Sequence, residues 1–161
     1  MKKKLINSIF VIFVILITTF SIIQVNYYNR QAQIFFDELK QTLSSLDEGD
    51  VGTFSLKLPA NNNILFFTPY FPVELSGLGV SKNKANKINN FFNRQDDEYG
   101  LMWLDSDNNI LAVRYATDIL TDLDLVRSCA SMMHHWESGQ NKKVTVCIRK
   151  NDNSFEFINN D

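Results

Sequence analysis

The sequence predicts an α+β protein in which an N-terminal transmembrane helix precedes a mostly antiparallel sheet, curled or barrel-like, with helices packed outside it. Two observations support this fold class. A long uncharged apolar run follows a basic N-terminus, and beyond residue 50 short apolar or alternating segments are separated by turns rich in Asn, Asp and Gly. The residues that follow the apolar run are enough for one domain and too few for two ordinary ones.

The first predicted element is a membrane span over residues 5–23, directly behind three lysines. A helix needs about 20 apolar residues to cross the roughly 30 Å of hydrocarbon in a bilayer. Because basic residues favour the cytoplasmic side, residues 1–4 are expected to form a cytoplasmic tail. The chain is then a single-pass protein of a bacterial inner membrane, with a linker at residues 24–33 and a periplasmic α+β domain at residues 34–161.

A cleaved signal peptide is the alternative interpretation of the same run, since a basic start and an apolar stretch are also its signature. The run is long for a signal peptide, Ala-x-Ala is absent, and Thr19-Phe20-Ser21 is a weak cleavage candidate. Tyr27 and Tyr28 follow at the depth where amphipathic rings prefer to lie. These features favour a retained anchor.

The charge of the outer part is acidic. All 18 acidic residues lie beyond Arg30, together with 12 of the 16 basic ones, which gives this part a formal charge of −6. This balance argues against direct binding of nucleic acid.

The domain is predicted to begin with a helix and to continue with at least six strands. From Gln31 to Leu46 apolar residues recur at helical spacing, so this helix can continue the membrane span and pack its stripe on the domain or on a partner's helix. Strands are predicted where apolar and polar residues alternate or where a short apolar run is bounded by turns. These strands are Thr53–Leu58, Ile64–Phe67, Tyr99–Leu104, Ile110–Ala116, Lys143–Arg149 and Ser154–Ile158.

Two connecting segments have their own signals. Pro69-Tyr70-Phe71-Pro72 cannot take a central strand position, because proline lacks the backbone donor. A short helix is predicted over residues 83–94.

The two cysteines are predicted to form a disulfide. Residues 122–138 resemble a capped helix, with Cys129 on its buried face, and Cys147 lies on the outer face of the last long strand. An even pair of cysteines in a chain that leaves the cytoplasm favours a bond, which would clamp this helix onto the sheet. A pair of buried thiols is the alternative.

The alternation of the strands directs one set of apolar side chains toward an interior. Such an interior can hold one apolar ligand, or side chains can fill it. The candidate lining residues are Phe54, Leu56, Leu58, Met102, Leu111, Val113, Tyr115, Val144, Val146, Ile148, Phe155 and Phe157.

No motif for catalysis, a cofactor or a metal is found, so the sequence predicts a protein that is not an enzyme. Asp105–Asn109 begins like a calcium loop, but Ile110 stands where that loop needs Gly and Ala116 where it needs Glu, which indicates a turn. His134 and His135 are adjacent on the predicted helix, so their side chains diverge and cannot chelate one ion together.

The short basic tail, single span and strand-rich outer domain resemble the membrane-anchored co-components of vibrio virulence regulators, of the ToxS and VtrC type, over the whole chain. The resemblance implies a lipocalin-like periplasmic domain that completes a barrel with a VtrA- or ToxR-like regulator. That partner has one span and a cytoplasmic DNA-binding domain. The resemblance also implies a bile salt, or a similar amphipathic ligand, in an apolar chamber whose occupation promotes virulence gene activation.

A different class of function fits the same features. A periplasmic immunity or inhibitor protein that neutralises a toxin by surface binding would also have an acidic outer domain, an anchor and a disulfide. A pilin-like subunit fits less well, since the usual processing site and the Glu inside the apolar run are absent.

Overall fold

One long helix and seven strands form the described part of the chain. The structure is a computed structural model that describes residues 2–68, 83, 86, 98–107, 109–121, 123–131, 133–138 and 142–158, the side chains of residues 2–8 and 133 excepted. The elements are α1 (Lys2–Ser44), β1 (Val51–Lys57), β2 (Asn63–Phe67), β3 (Gly100–Leu104), β4 (Ile110–Tyr115), a 3-10 turn (Ala116–Asp118), α2 (Asp124–Arg127), β5 (Met133–Glu137), β6 (Lys143–Lys150) and β7 (Phe155–Ile158).

The first half of α1 is apolar on all sides and exposed. Its large apolar side chains from Ile9 to Val25 are exposed, and within the described residues α1 is the one helix long and apolar enough to cross a membrane. Two hydroxyl groups in this half bond to backbone carbonyl oxygens of the preceding turn. The hydroxyl of Thr18 donates to the carbonyl oxygens of Val14 and Ile15, at 3.0 and 2.9 Å, and Ser21 bonds in the same way. Such bonding suits a helix in hydrocarbon, where no water is present to bond these groups.

The second half of α1 is part of the domain core. Tyr28, Ala32, Phe35, Phe36 and Leu39 are buried at the spacing of one helical stripe. The helix therefore continues without a break from the apolar half into the core. Residues 24–33, the predicted linker, are helical, and Tyr28 and Ala32 within them are buried.

The end of α1 is held by the sheet behind it. The ammonium group of Lys150 donates to the carbonyl oxygens of Leu43 and Leu46, at 3.3 and 2.5 Å. A cation at this position satisfies carbonyl groups that a helix end leaves without a partner. Gly49, at a φ of 85°, then turns the chain into β1.

Seven antiparallel strands form two sheets. The first has the order β1-β6-β7, and the second has the order β4-β3-β2-β5. β1 pairs with β6 along its whole length, from Val51 opposite Arg149 to Lys57 opposite Lys143. The predicted α+β class and the antiparallel connections are confirmed.

The core lies between the two sheets, and α1 closes one side of it by contacting β1 and β4. The Phe35 ring lies at the centre. Its centroid is 5.5 and 6.1 Å from the rings of Phe54 and Phe157 in the first sheet, and 6.4 and 5.9 Å from those of Phe66 and Trp136 in the second. One helical side chain thus joins both layers.

The described strands do not close into a barrel. The two sheets are separate, and β5 of the second approaches β6 of the first without a ladder between them. A seam therefore remains between β5 and β6, and the predicted lipocalin-like curl is not confirmed.

The predicted helix over residues 122–138 is wrong for most of its length. Among its described residues it is helical only in α2, Asp124–Arg127, and the chain then extends into β5, whose residues pair with β2 from Asn63 opposite Glu137 to Phe67 opposite Met133. The backbone bonds of this ladder outweigh the helical spacing of the apolar residues. His134 and His135 accordingly lie on a strand.

The predicted disulfide is not present, and both cysteines are thiols. The backbone of Cys129 pairs with Phe155 at the outer edge of β7. Cys147 lies in β6, on the other side of β7, and its backbone pairs with Ile158. The two cysteines are therefore separated by two strand spacings of roughly 4.8 Å across the sheet and by three residues of roughly 3.3 Å along it. Their Cα atoms are then about 14 Å apart. A disulfide requires Cα atoms about 4.4–6.8 Å apart.

The predicted turn at Asp105–Asn109 is confirmed, and a second turn joins β6 to β7. One carboxylate oxygen of Asp105 accepts from the backbone N–H groups of Asp107 and Asn109, at 2.9 and 2.8 Å, and Asn151 N–H donates to the Ser154 carbonyl at 2.8 Å. The predicted Pro69–Pro72 segment lies outside the described residues. So does the predicted helix over 83–94, apart from Asn83 and Asn86, which are helical and exposed.

Candidate functional site

The seam between the two sheets forms a groove of about 450 Å³. Side chains of β5 line one wall, and side chains of β6 and the end of β7 line the other. We call it the seam groove, and its lining residues are His134, His135, Trp136, Glu137, Lys143, Val144, Thr145 and Ile158.

The β5 wall is the edge of a sheet. β5 pairs with β2 on one side, and it is the last strand of the second sheet as described. A strand at such an edge presents backbone N–H and C=O groups that another chain can pair with. The seam groove therefore joins a hydrogen-bonding edge to a cavity.

An aromatic surface lies at the core side of the groove. The His134 ring is 4.6 Å from the Trp136 ring and 5.7 Å from the Phe157 ring, and the Trp136 and Phe157 rings meet edge to face at 5.0 Å. Rings in such arrangements offer a rigid apolar contact area with polar atoms at its margin. Trp136 and Phe157 are buried, so these two rings belong mostly to the core, and the half-buried His134 ring is the part that opens to the groove.

The charges of the groove lie around these rings. Burial lowers the pKa of both His134 and His135, so both imidazoles are neutral at pH 7, although the Glu137 carboxylate opposes the shift of the pKa of His135. The His135 Nε2 atom is buried and has no hydrogen-bond partner among the described residues. Lys143, exposed on the facing wall, supplies a cation at the rim.

Most of the predicted lining residues fill the core. They are packed in one continuous cluster with the buried residues of α1, so the space between the sheets is occupied by side chains. Val144 also reaches the seam groove. The members of this group are Phe54, Leu56, Leu58, Val144, Val146, Ile148, Phe155 and Phe157.

The other predicted lining residues belong to the second sheet and do not face that core. Met102 pairs with Val113, and both lie on the face opposite the one that carries Trp103. Met102 is buried, and Val113 and Tyr115 are half-buried on that face. Leu111 is 41% exposed and is a clear correction, since an irregularity between Trp103 and Leu104 removes it from the ladder.

Sequence reasoning missed the seam groove, because the spacing of apolar residues over 122–138 predicts a helix that includes His134, His135 and Trp136. The local sequence offers no signal for β5, because these residues resemble a capped helix and the strand depends on its pairing with β2. No group of three His, Cys, Asp or Glu side chains suited to a metal ion occurs within the described ranges.

Comparisons with known protein families, with curated proteins and with solved structures find no match to this chain.

Proposed function

We propose that this chain is a single-pass protein of a bacterial inner membrane whose periplasmic domain pairs with a membrane-anchored transcriptional regulator of the VtrA or ToxR kind. The observation that carries the proposal is the continuity of α1, which runs from Lys2 to Ser44. A rigid helix links the apolar half to the centre of the domain. A change in the domain is then transmitted to the membrane, and a change in the arrangement of spans is transmitted back.

The edge of β5 is the proposed contact for the regulator. An extended segment of the partner can add to this edge, gaining backbone hydrogen bonds without disturbing the packed core. The added strand would also cover the seam groove and bring the two sheets closer to the barrel that the resemblance implies.

The proposed ligand is a bile salt or a similar amphipathic anion, and the resemblance supplies this class. Because side chains fill the core, the seam groove is the proposed binding site for this ligand, and an interior chamber is not. The half-buried His134 ring at the margin of the groove is the proposed contact for the apolar ring system, and the exposed ammonium group of Lys143 is the proposed contact for the acidic group. A ligand acts as a signal only if it binds the paired state more tightly than the unpaired one.

Calorimetric titration tests the proposal. The full chain in lipid nanodiscs is titrated with a conjugated bile salt below its micelle concentration, alone and with the co-expressed regulator, and heats from empty nanodiscs are subtracted. We expect saturable binding that is tighter in the presence of the regulator. Lys143→Gln is expected to weaken it about two- to fivefold, the value of one solvent-exposed ion pair.

The matched control is Lys40→Gln, which removes the same charge from an exposed position on α1. Equal loss of binding in both variants would indicate a general charge effect and not a site. No binding in either state, together with recovery of a stable toxin complex, would favour the immunity function instead.

A further inference from the structure

A second groove lies where α1 leaves its apolar half. It has a volume of about 440 Å³ and lies between α1, β4 and the 3-10 turn. We call it the membrane-side groove, and its lining residues are Val25, Asn29, Gln33, Arg114, Asp118 and Ile119.

Arg114 fixes this groove against the helix. Its Nε atom donates to the side-chain oxygen of Asn29, its Nη2 atom donates to the Val25 carbonyl at 3.3 Å, and its Nη1 atom donates to the Val113 carbonyl at 2.6 Å. All three acceptors are neutral, and Arg114 forms no ion pair with a described residue. A guanidinium has five N–H donors, so it retains donors and its full charge for another group.

The position of Arg114 along α1 corresponds to the headgroup layer of a bilayer. With a rise of about 1.5 Å per residue, Val25 and Asn29 lie about 3 and 9 Å beyond Ile23, the last residue of the apolar run. The polar layer on each side of the hydrocarbon is about 5–7 Å thick. The guanidinium, bonded to both residues, is therefore level with the lipid phosphates.

The remaining lining residues complete a surface that suits a zwitterionic headgroup. Val25 and Ile119 are the apolar part, next to the exposed apolar half of α1. Asp118 is exposed on the 3-10 turn and adds a carboxylate to the same groove as the cation. A purely anionic lipid would meet this carboxylate unfavourably, whereas a headgroup with both a phosphate and an ammonium group meets both charges.

We propose that the membrane-side groove binds the headgroup of phosphatidylethanolamine from the adjacent leaflet, with Arg114 on its phosphate and Asp118 on its primary ammonium group. The bound lipid holds β4 and the 3-10 turn against the bilayer surface. This inference depends on the anchor in the proposed function and is independent of the regulator and the bile salt.

Photo-crosslinking in nanodiscs tests the inference. The full chain carries a benzophenone amino acid at Gln33, which is exposed and lines the groove, in a bilayer of equal parts phosphatidylethanolamine and phosphatidylcholine. Mass spectrometry identifies the lipid that is captured. We expect phosphatidylethanolamine to exceed phosphatidylcholine about two- to fivefold, as expected for one solvent-screened ion pair.

Two variants separate the two charges. Arg114→Gln is expected to abolish capture of either lipid, and Asp118→Asn is expected to keep capture but to bring the ratio to that of the bilayer. If Arg114→Gln fails to fold, Asp118→Asn still decides, since Asp118 is exposed. The matched control is Arg127→Gln, which removes an exposed charge from α2 and should leave the ratio unchanged.

A benzophenone at Phe20 distinguishes failure of this inference from failure of the anchor. Phe20 is 61% exposed in the apolar half of α1 and must capture lipid if the helix spans the membrane. Capture from Phe20 but none from Gln33, or a Gln33 ratio equal to that of the bilayer in the unmodified chain, overturns the inference alone. No capture from either position overturns the anchor as well.

Discussion

Replacing Phe35 with Ala tests whether α1 is an integral part of the domain. Phe35 is fully buried, and its ring contacts aromatic rings from both sheets at centroid distances of 5.5–6.4 Å. Removal of the ring deletes those contacts and leaves a cavity between the layers. Such Phe→Ala changes in a core cost about 3–5 kcal/mol.

The expected loss is a large share of the stability of a domain, which is typically about 5–15 kcal/mol in total. For a domain of this size, 1 kcal/mol corresponds to roughly 4 °C in Tm, so a loss of about 4 kcal/mol predicts a fall of about 15 °C. Phe35→Leu keeps most of the volume and is expected to cost about 1.5 kcal/mol, or about 6 °C.

The assay is thermal unfolding of the full chain in detergent, followed by tryptophan fluorescence. Trp103 and Trp136 are both buried and report directly on the core. Phe20→Ala is the matched control, since it removes the same atoms from the exposed half of α1 and should leave the Tm unchanged. If Phe35→Ala unfolds within about 3 °C of the control, α1 does not join the two layers and the reasoning is refuted.

The remaining predictions concern a glycine, the thiols and the imidazoles. Gly100→Ala should cost about 1–3 kcal/mol in urea unfolding, because its Cβ would lie 2.6 Å from a backbone carbonyl oxygen of the neighbouring strand; an unchanged midpoint would contradict this contact. Burial raises the pKa of the Cys129 thiol to about 12 and also raises the pKa of the Cys147 thiol. Both thiols should therefore react slowly with iodoacetamide at pH 8 and quickly in urea. Detection of a disulfide by non-reducing mass spectrometry would overturn the arrangement of β6 and β7. Burial lowers the pKa of His134 and His135 below the ordinary value of 6.5, so the unfolded chain binds more protons in this window. The stability that these two groups contribute should be fully present above pH 6.5 and be lost as the pH falls toward their folded-state pKa values. If a double His→Gln variant keeps the same dependence of unfolding free energy on pH, these groups are excluded as its cause.

Six of the seven described strands could be predicted to within two residues of their bounds, whereas β5 and the direction of the side chains in the second sheet could not. In β1 and β6 apolar and polar residues alternate, so Phe54 and Val146 were correctly placed toward the core. In β3 every residue is apolar and buried, so alternation cannot tell which face meets the first sheet. Met102 was directed to the core on this ambiguous evidence and lies on the opposite face.

The candidate site depended on contacts that are distant in sequence. β5 is a strand because it pairs with β2, some 70 residues earlier, and local spacing alone favours a helix there. The filled core has a similar cause. Helical spacing predicted an apolar stripe on α1, but it could not show that Phe35 reaches both sheets and takes the space assigned to a ligand.

Because α1 is unbroken, the number of residues between Ile23 and Tyr28 sets the direction in which the domain faces, whatever the side chains of that segment are. Each residue of an α-helix adds about 100° of rotation and 1.5 Å of height. One inserted residue would turn the seam groove about a quarter of a circle around the helix axis, away from a neighbour fixed by its own span. Seven inserted residues would restore the direction almost completely and raise the domain by about 10 Å. The direction in which this domain faces is thus set by a count of residues.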